Sequence, residues 1–255
     1  MTESIQLERR GRVATLTLDR PPLNILDLEL LARLEERCGE LAAISDLQLV
    51  FVRGGGEKAF SAGVAIADHT PDKIDRMLLG FHGALRRLRG LDALTVALVD
   101  GHCLGGGMEV AMCCDLVLAT ERSRFGQPEI KLGCFPPVAA AWLPRRIGPG
   151  RTLELLLTGR VFDAAEAARL GLAHTVVPAD GLEAEANRLE EAITAQSAAA
   201  TRLLKRAVRA GEERTFDSAL AEAERLYLRE LAATKDMHEG IAAFIEKRPP
   251  VWQHR

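Results

Sequence analysis

Between Val13 and Leu18 apolar and polar side chains alternate through a β-rich run, the period of a strand with one buried face. Pro21-Pro22-Leu23-Asn24 ends that strand, because proline has no N–H to give to a ladder. The period then lengthens. Leu31, Leu34, Cys38 and Leu41 recur at helical spacing behind Asp27, whose carboxylate can cap the first free amides. Leu47 to Val52 predicts a second strand, closed by Gly54-Gly55-Gly56. After a loop from Phe60 to His69, Thr70 and Pro71 have the character of N-cap and first position of a helix. Its apolar face is Ile74, Met77, Leu78, Phe81, Leu85 and Leu88. Thr95 to Val99 is almost wholly apolar, as expected of a strand buried on both faces. It runs into Gly101-His102-Cys103-Leu104-Gly105-Gly106-Gly107, a short helix over Met108 to Cys114, and a fourth strand over Leu116 to Ala119.

Strand, helix, strand in this order predicts an α/β fold with largely parallel pairing. From Gly181 onward Ala, Glu, Arg and Leu dominate, and helices are expected near Leu182 to Ala195, Ala198 to Ala210, Phe216 to Leu231 and Met237 to Ile245. No low-complexity linker intervenes, so the helical tail is expected to pack on the core or on a neighbouring subunit.

At 255 residues the chain has room for one large domain, or one domain with a smaller appendage. A net charge of −3 supplies no general attraction to phosphate backbones or anionic lipid, which argues against a dedicated nucleic-acid binder. The uncharged stretch from Leu132 to Pro144 is broken by prolines and falls short of the roughly 18 residues of a membrane span. The N-terminus carries charges where a signal peptide needs an apolar segment, so a cytoplasmic location is expected. Cys38, Cys103, Cys113, Cys114 and Cys134 show neither C-x-x-C nor zinc-ligand spacing, and each is expected to act as a small core hydrophobe.

Three consecutive glycines between a buried strand and a helix let a ligand approach the backbone while the helix N-terminus aims N–H groups at it. The spacing is neither G-x-G-x-x-G nor a P-loop, which leaves an anion or oxyanion site on one side and a tight packing turn on the other. Glu109 lies within a turn of Gly106 among apolar neighbours. Burial would favour its neutral form and the helix N-terminus its anion, so it is either a tuned acid/base or a surface group answering the helix dipole. Glu129, in Phe125-Gly126-Gln127-Pro128-Glu129-Ile130, is a second acid on a separate element. Two such carboxyls beside an oxyanion-type loop are the equipment for moving water or a proton next to a carbonyl. Ser61 lacks the leading glycine of a nucleophile elbow. Asp68-His69 and His102 are expected to be structural, with His102 partly buried, and Cys113-Cys114 to be core.

Lys58-Ala59-Phe60-Ser61-Ala62-Gly63, Leu104-Gly105-Gly106-Gly107-Met108-Glu109, the segment Phe125 to Ile130, and Thr158-Gly159 with Ala165-Glu166-Ala167 and Gly171-Leu172 resemble, in order and spacing, the enoyl-CoA hydratase/isomerase (crotonase) family. The resemblance spans essentially the whole chain. It implies an α/β spiral of ββα turns over residues 1–195 and a helical C-terminal region over 196–255, assembled as a homotrimer or homohexamer. It implies an acyl-CoA thioester as substrate, coenzyme A being part of that substrate, with no metal or redox cofactor. By position, the Val64 and Gly106 N–H groups would form an oxyanion hole, each donor contributing about 3 to 4 kcal/mol to an enolate. Glu109 and Glu129 fall on the two catalytic glutamates, one handling water and the other the carbon-bound proton. Leu23, Ala62, Val64 and Ile66 would contact the CoA portion, as would Phe244 and Lys247 near the C-terminus, the latter pair often across a subunit boundary.

The chain departs from the family pattern at Ala65, where Asp is usual, and at Pro137-Val138-Ala139-Ala140-Ala141, where a glycine-rich run is usual. Pro137 has no N–H to offer a water. Arg20 to Asn24, Val64 with Ala67 to Thr70, and Gly133-Cys134-Phe135-Pro136-Pro137 are similar to the cyclohexa-1,5-diene-1-carbonyl-CoA hydratases within the family. The expected activity is therefore a hydro-lyase acting on a conjugated enoyl or cyclic dienoyl thioester. An isomerase of the same fold is the alternative, as is a non-catalytic acyl-CoA binding protein.

Overall fold

A computed structural model describes residues 4–212 and 214–254. In chain order the strands are β1 (Ile5–Arg10), β2 (Val13–Leu18), β3 (Leu49–Gly54), β4 (Ala59–Ser61), β5 (Leu94–Val99), β6 (His102–Leu104), β7 (Leu116–Thr120), β8 (Arg124–Gly126), β9 (Val161–Asp163) and β10 (Thr175–Val177). The helices are α1 (Leu28–Ala42), α2 (Ile74–Arg89), α3 (Gly106–Cys113), α4 (Pro137–Ile147), α5 (Pro149–Thr158), α6 (Ala164–Arg169), α7 (Leu182–Thr194), α8 (Ala198–Gly211), α9 (Phe216–Arg229) and α10 (Lys235–Glu246).

Two sheets result. The larger has the order β1-β2-β3-β5-β7-β10, parallel throughout except for β1 against β2, and the smaller has the order β4-β6-β8-β9. Three successive coils of chain each give one strand to each sheet: β3 then β4, β5 then β6, β7 then β8. In the small sheet β4, β6 and β8 run parallel, and β9 closes the edge antiparallel. This is the spiral of ββα turns implied by the family resemblance.

The large sheet is covered on both faces, as a parallel sheet must be. One face packs on α1, α2 and α3 through Leu16, Val50, Ala97 and Val99 against Leu31, Leu34, Phe81, Leu85 and Val110. The other packs on α7, with Leu49, Phe51, Val96 and Leu98 against Leu182 and Ala186. β5 thus sends alternate side chains into two different cores, the reason its sequence reads as an unbroken apolar run.

The Pro-Pro-Leu-Asn turn has a specific occupant. Asn24 is fully buried, its amide nitrogen donates to the carbonyls of Gly55, Ala59 and Phe60, and its oxygen accepts from Arg20 N–H. It ties the start of the chain to β4. Asp27 caps α1 by accepting from Leu30 N–H at 2.9 Å.

Some expectations change. Thr70 and Pro71 do not open α2: residues 71–73 form an irregular turn held by Lys73 and Ile74 N–H donating to the Thr70 carbonyl, and the helix starts at Ile74. The short helix begins at Gly106 rather than Met108, and the second strand runs from Leu49 to Gly54. His102 is exposed on β6, not partly buried, because its position alternates outward from buried Cys103. Cys38, Cys103, Cys113 and Cys114 are buried, whereas Cys134 is only half-buried and donates its thiol to the Glu129 carbonyl at 3.4 Å. It sits in a loop beside an acid rather than in the core.

Candidate active site

β4, β6 and β8 leave the small sheet side by side and in the same direction, and one functional group follows each. After β4 come Ala62, Gly63 and Val64; after β6, Gly105 and Gly106; after β8, Gln127, Pro128 and Glu129. Carboxyl ends of neighbouring parallel strands are where open α/β sheets place ligands.

Gly105 adopts φ +51°, a left-handed conformation that favours glycine, and a Cβ there would lie 2.7 Å from Glu129 Oε1. Backbone and carboxylate can be this close only because the side chain is missing. A Cβ on Gly106 would meet Val64 Cγ2 at 2.7 Å and Val64 N at 3.4 Å, and one on Gly63 would meet Gly106 N at 3.4 Å. The Val64 and Gly106 amides therefore face one narrow space. Neither donates to an acceptor among the described residues, Gly106 because it begins α3, and Val64 because the bridge to Leu26 uses the Gly63 carbonyl and the Ala65 N–H instead.

The loop carrying Val64 is fixed without an acid at position 65. Ala65 N–H donates to the Leu26 carbonyl at 3.1 Å and Ala62 N–H to the Leu23 carbonyl at 2.9 Å. Buried Asp68 accepts from Leu28 N–H and pairs with Lys73. Ser61, buried, donates to the Asn24 carbonyl and accepts from Gly63 N–H, and His69 Nδ1 lies 3.0 Å from the Ala65 carbonyl. Both are structural.

Glu109, on the first turn of α3, is 2% exposed and is not a surface residue. Its Oε1 accepts from Ala139 N–H at 2.8 Å, and Val138 N–H also donates to it. Helix α4 points its N-terminus, with Pro137 in the first turn, at this carboxylate. Burial raises Glu109 to about 7 against those two N–H donors, and the charge of Glu129 pushes the same way. Glu129 sits in a 3-10 turn over Pro128–Leu132 and is also raised to about 7, chiefly by burial. Gln127, buried beside it, turns its amide nitrogen to both Glu129 oxygens, at 3.0 and 3.2 Å. The charge on Glu129 thus opposes ionisation of Glu109, which couples the two titrations.

Sequence reasoning missed the Val138 and Ala139 amides, although Pro136-Pro137 followed by an alanine-rich run is the signature of a helix start. It also gave Gln127 no role, since nothing in the residue order says which way an amide points.

Of the other residues expected here, Leu23 and Ala62 are joined by a backbone hydrogen bond, Val64 carries one of the two amides, and Leu23 and Ile66 are exposed. Phe244 is 86% exposed and Lys247 ends α10 in a left-handed conformation, and no described contact joins them to either glutamate.

A model of the family described as enoyl-CoA hydratase/isomerase matches residues 8–255. The chain is 40% identical over 259 residues to a probable enoyl-CoA hydratase of Mycobacterium bovis, covering 99% of each. It is 38% identical over 252 residues to the cyclohexa-1,5-dienecarbonyl-CoA hydratase of Thauera aromatica, covering 98% of this chain and 96% of that one. The crystal structure of an enoyl-CoA hydratase from Bacillus anthracis superposes with a TM-score of 0.93 at 30% identity, over 99% of this chain and all of the other. Matched along nearly its whole length in both sequence and fold, this chain belongs to the enoyl-CoA hydratase/isomerase family.

Proposed function

We propose that the protein hydrates the α,β double bond of an enoyl-CoA thioester. The observation that carries this reading is the pair of perturbed carboxyls, Glu109 and Glu129, beside two undonated main-chain amides. Val64 and Gly106 N–H would donate to the thioester oxygen and stabilise the enolate formed when the double bond is attacked. Glu109, held by two backbone N–H donors, is suited to be the carboxylate that takes a proton from water as its oxygen bonds to the β carbon. Glu129, against Gly105 and next to the Gly106 amide, is suited to deliver the proton to the α carbon. No metal or redox group has a step in this scheme, and coenzyme A enters only as part of the substrate.

Two acids argue for hydration over isomerisation, in which one group moves a single proton. The narrower reading is a cyclic dienoyl thioester. It is supported by the Thauera relative and by the Pro136-Pro137 start of α4 in place of a glycine-rich run. The exposed Phe244 and Lys247 are proposed to meet the CoA portion across a boundary between copies, in a homotrimer or homohexamer.

The test is a turnover screen contrasting crotonyl-CoA with cyclohexa-1,5-diene-1-carbonyl-CoA, followed through the conjugated thioester absorbance in isotopically labelled water. Labelled oxygen in the product supports hydration. Bond migration without label establishes isomerisation instead, and tight binding without turnover of any thioester leaves an acyl-CoA binding protein. A tenfold preference, about 1.4 kcal/mol in barrier, assigns the acyl group.

A further inference from the structure

Beyond Glu109 the protein holds a large cleft of about 880 Å³ between α2, α4 and α8. It borders the site through the N-terminus of α4 and the end of α3. Val138 lines it and donates its N–H to Glu109, and Cys113 lines it one helical turn, about 6 Å, beyond Glu109 on the same face of α3. The near walls are apolar, including Leu85, Ala141 and Trp142. The far rim is different: six Lys and Arg side chains reach the cleft against two acids, Asp115 and Glu212. Both acids are committed. Asp115 holds Lys205 and Arg209, and Glu212 pairs with Arg89. The two acids thus hold Lys205, Arg209 and Arg89 at this rim.

Two nitrogens in this cleft are buried without an acceptor, His82 Nε2 and Arg209 Nη1. A buried donor left unmet carries its full desolvation penalty, larger for a charged group, so each is a place where a bound acceptor recovers free energy. Arg146, stacked 4.2 Å over the Trp142 ring, is held below its ordinary pKa chiefly by burial, with attraction to Glu212 and Asp115 opposed by repulsion from Arg89 and Arg209. An anion entering the cleft relieves that repulsion as well.

We infer that this cleft receives the far end of the acyl group and, among open-chain enoyl thioesters, selects those that end in a carboxylate. The inference rests on the acyl-CoA reading above. The apolar near wall accepts the methylenes beyond the reacting carbons, and His82 and Arg209, with Arg86 and Arg146 alongside, meet the terminal carboxylate. Charge-assisted hydrogen bonds to such a group are about twice as strong as neutral ones, so the class of acyl chain follows from the rim and not from the glutamates.

The test compares thioesters of equal chain length that differ only at the far end, methyl against carboxylate, in the hydration assay and in calorimetric binding of the saturated analogues. The expected result is a preference for the carboxylated thioester of at least tenfold in both. The ratio between the two thioesters is expected to collapse towards one in His82→Phe and in Arg86→Gln. Equal affinity for the two ends overturns the inference, and so does an undiminished ratio in both variants. Free glutarate supplies a control on the source of the carboxylate: failure to displace the carboxylated thioester supports recognition as part of the acyl chain, and full displacement at matched concentration overturns it. Preferential binding of the carboxylated thioester with no turnover of any substrate would retain the cleft assignment and remove the hydratase reading instead.

Discussion

Replacing Glu109 by Gln separates the stability of this protein from its chemistry. The carboxyl is 2% exposed and lies at about 7 instead of its ordinary 4.5, principally because burial disfavours the anion. A folded-state pKa above the unfolded one means that the fold favours the neutral form. The cost of ionising the buried group is absent below about pH 4.5, grows as pH rises towards the folded value, and is complete above it. That cost is about 3 kcal/mol. Gln has nearly the same shape, carries no charge, and its oxygen still accepts from Ala139 and Val138 N–H. The variant is therefore expected to be more stable than the parent by about 3 kcal/mol at pH 8 and by less than 1 kcal/mol at pH 5. For a chain of this length the gain at pH 8 corresponds to roughly 6–12 °C in Tm. Thermal or urea unfolding at the two pH values measures it, with hydration activity expected to fall about 10²- to 10⁴-fold in the same preparation. A stability difference that does not change between pH 5 and pH 8, or a variant less stable at pH 8, refutes the placement of a buried, ionising carboxylate at the end of α4.

The kcat/KM for hydration should follow a bell in pH centred near neutrality, since Glu109 and Glu129 both lie at about 7 and the active form holds one proton between them; a flat profile from pH 5 to 9 would contradict this. Gly105→Ala sets a methyl group 2.7 Å from Glu129 Oε1 at a φ of +51°, and should lower kcat by about 10²-fold with a far smaller effect on Tm, measured by steady-state kinetics beside thermal melts. Asp115→Asn leaves Lys205 and Arg209, whose side chains are 8% and 17% exposed, without their shared carboxylate, and urea unfolding should show a loss of about 3–5 kcal/mol. Asn24→Ala removes an amide that meets three carbonyls at 2.8–3.2 Å and should destabilise by about 2–3 kcal/mol in the same assay.

What the residue order reveals depends on length of element and on distance between partners. α1 and α2 were legible because Leu34, Cys38, Leu41, Phe81 and Leu85 repeat over several turns, and β5 because both its faces are buried. β4, β6, β8 and β9 have three residues each, too few to display a period, so the whole small sheet was invisible to patterning and entered only through the family resemblance. The two glutamates stood out as acids in apolar surroundings, but their convergence was not readable, because it arises where separate coils of the spiral come side by side. The N-terminus of α4 shows the limit most plainly. Pro137 was visible as a residue without an N–H, whereas the two amides after it act on Glu109, thirty positions from Ala139 in the chain.

Because each parallel strand of the small sheet delivers a single group, the chemistry is modular at the level of coils. The segment after β4 brings an amide, the one after β6 an amide and an acid, and the one after β8 an acid, and the ladder beneath them uses only main-chain atoms. A substitution or insertion beyond one strand end can alter one contribution while the ladder keeps the other two in register. A scaffold wired this way permits new reactions to be tried one loop at a time.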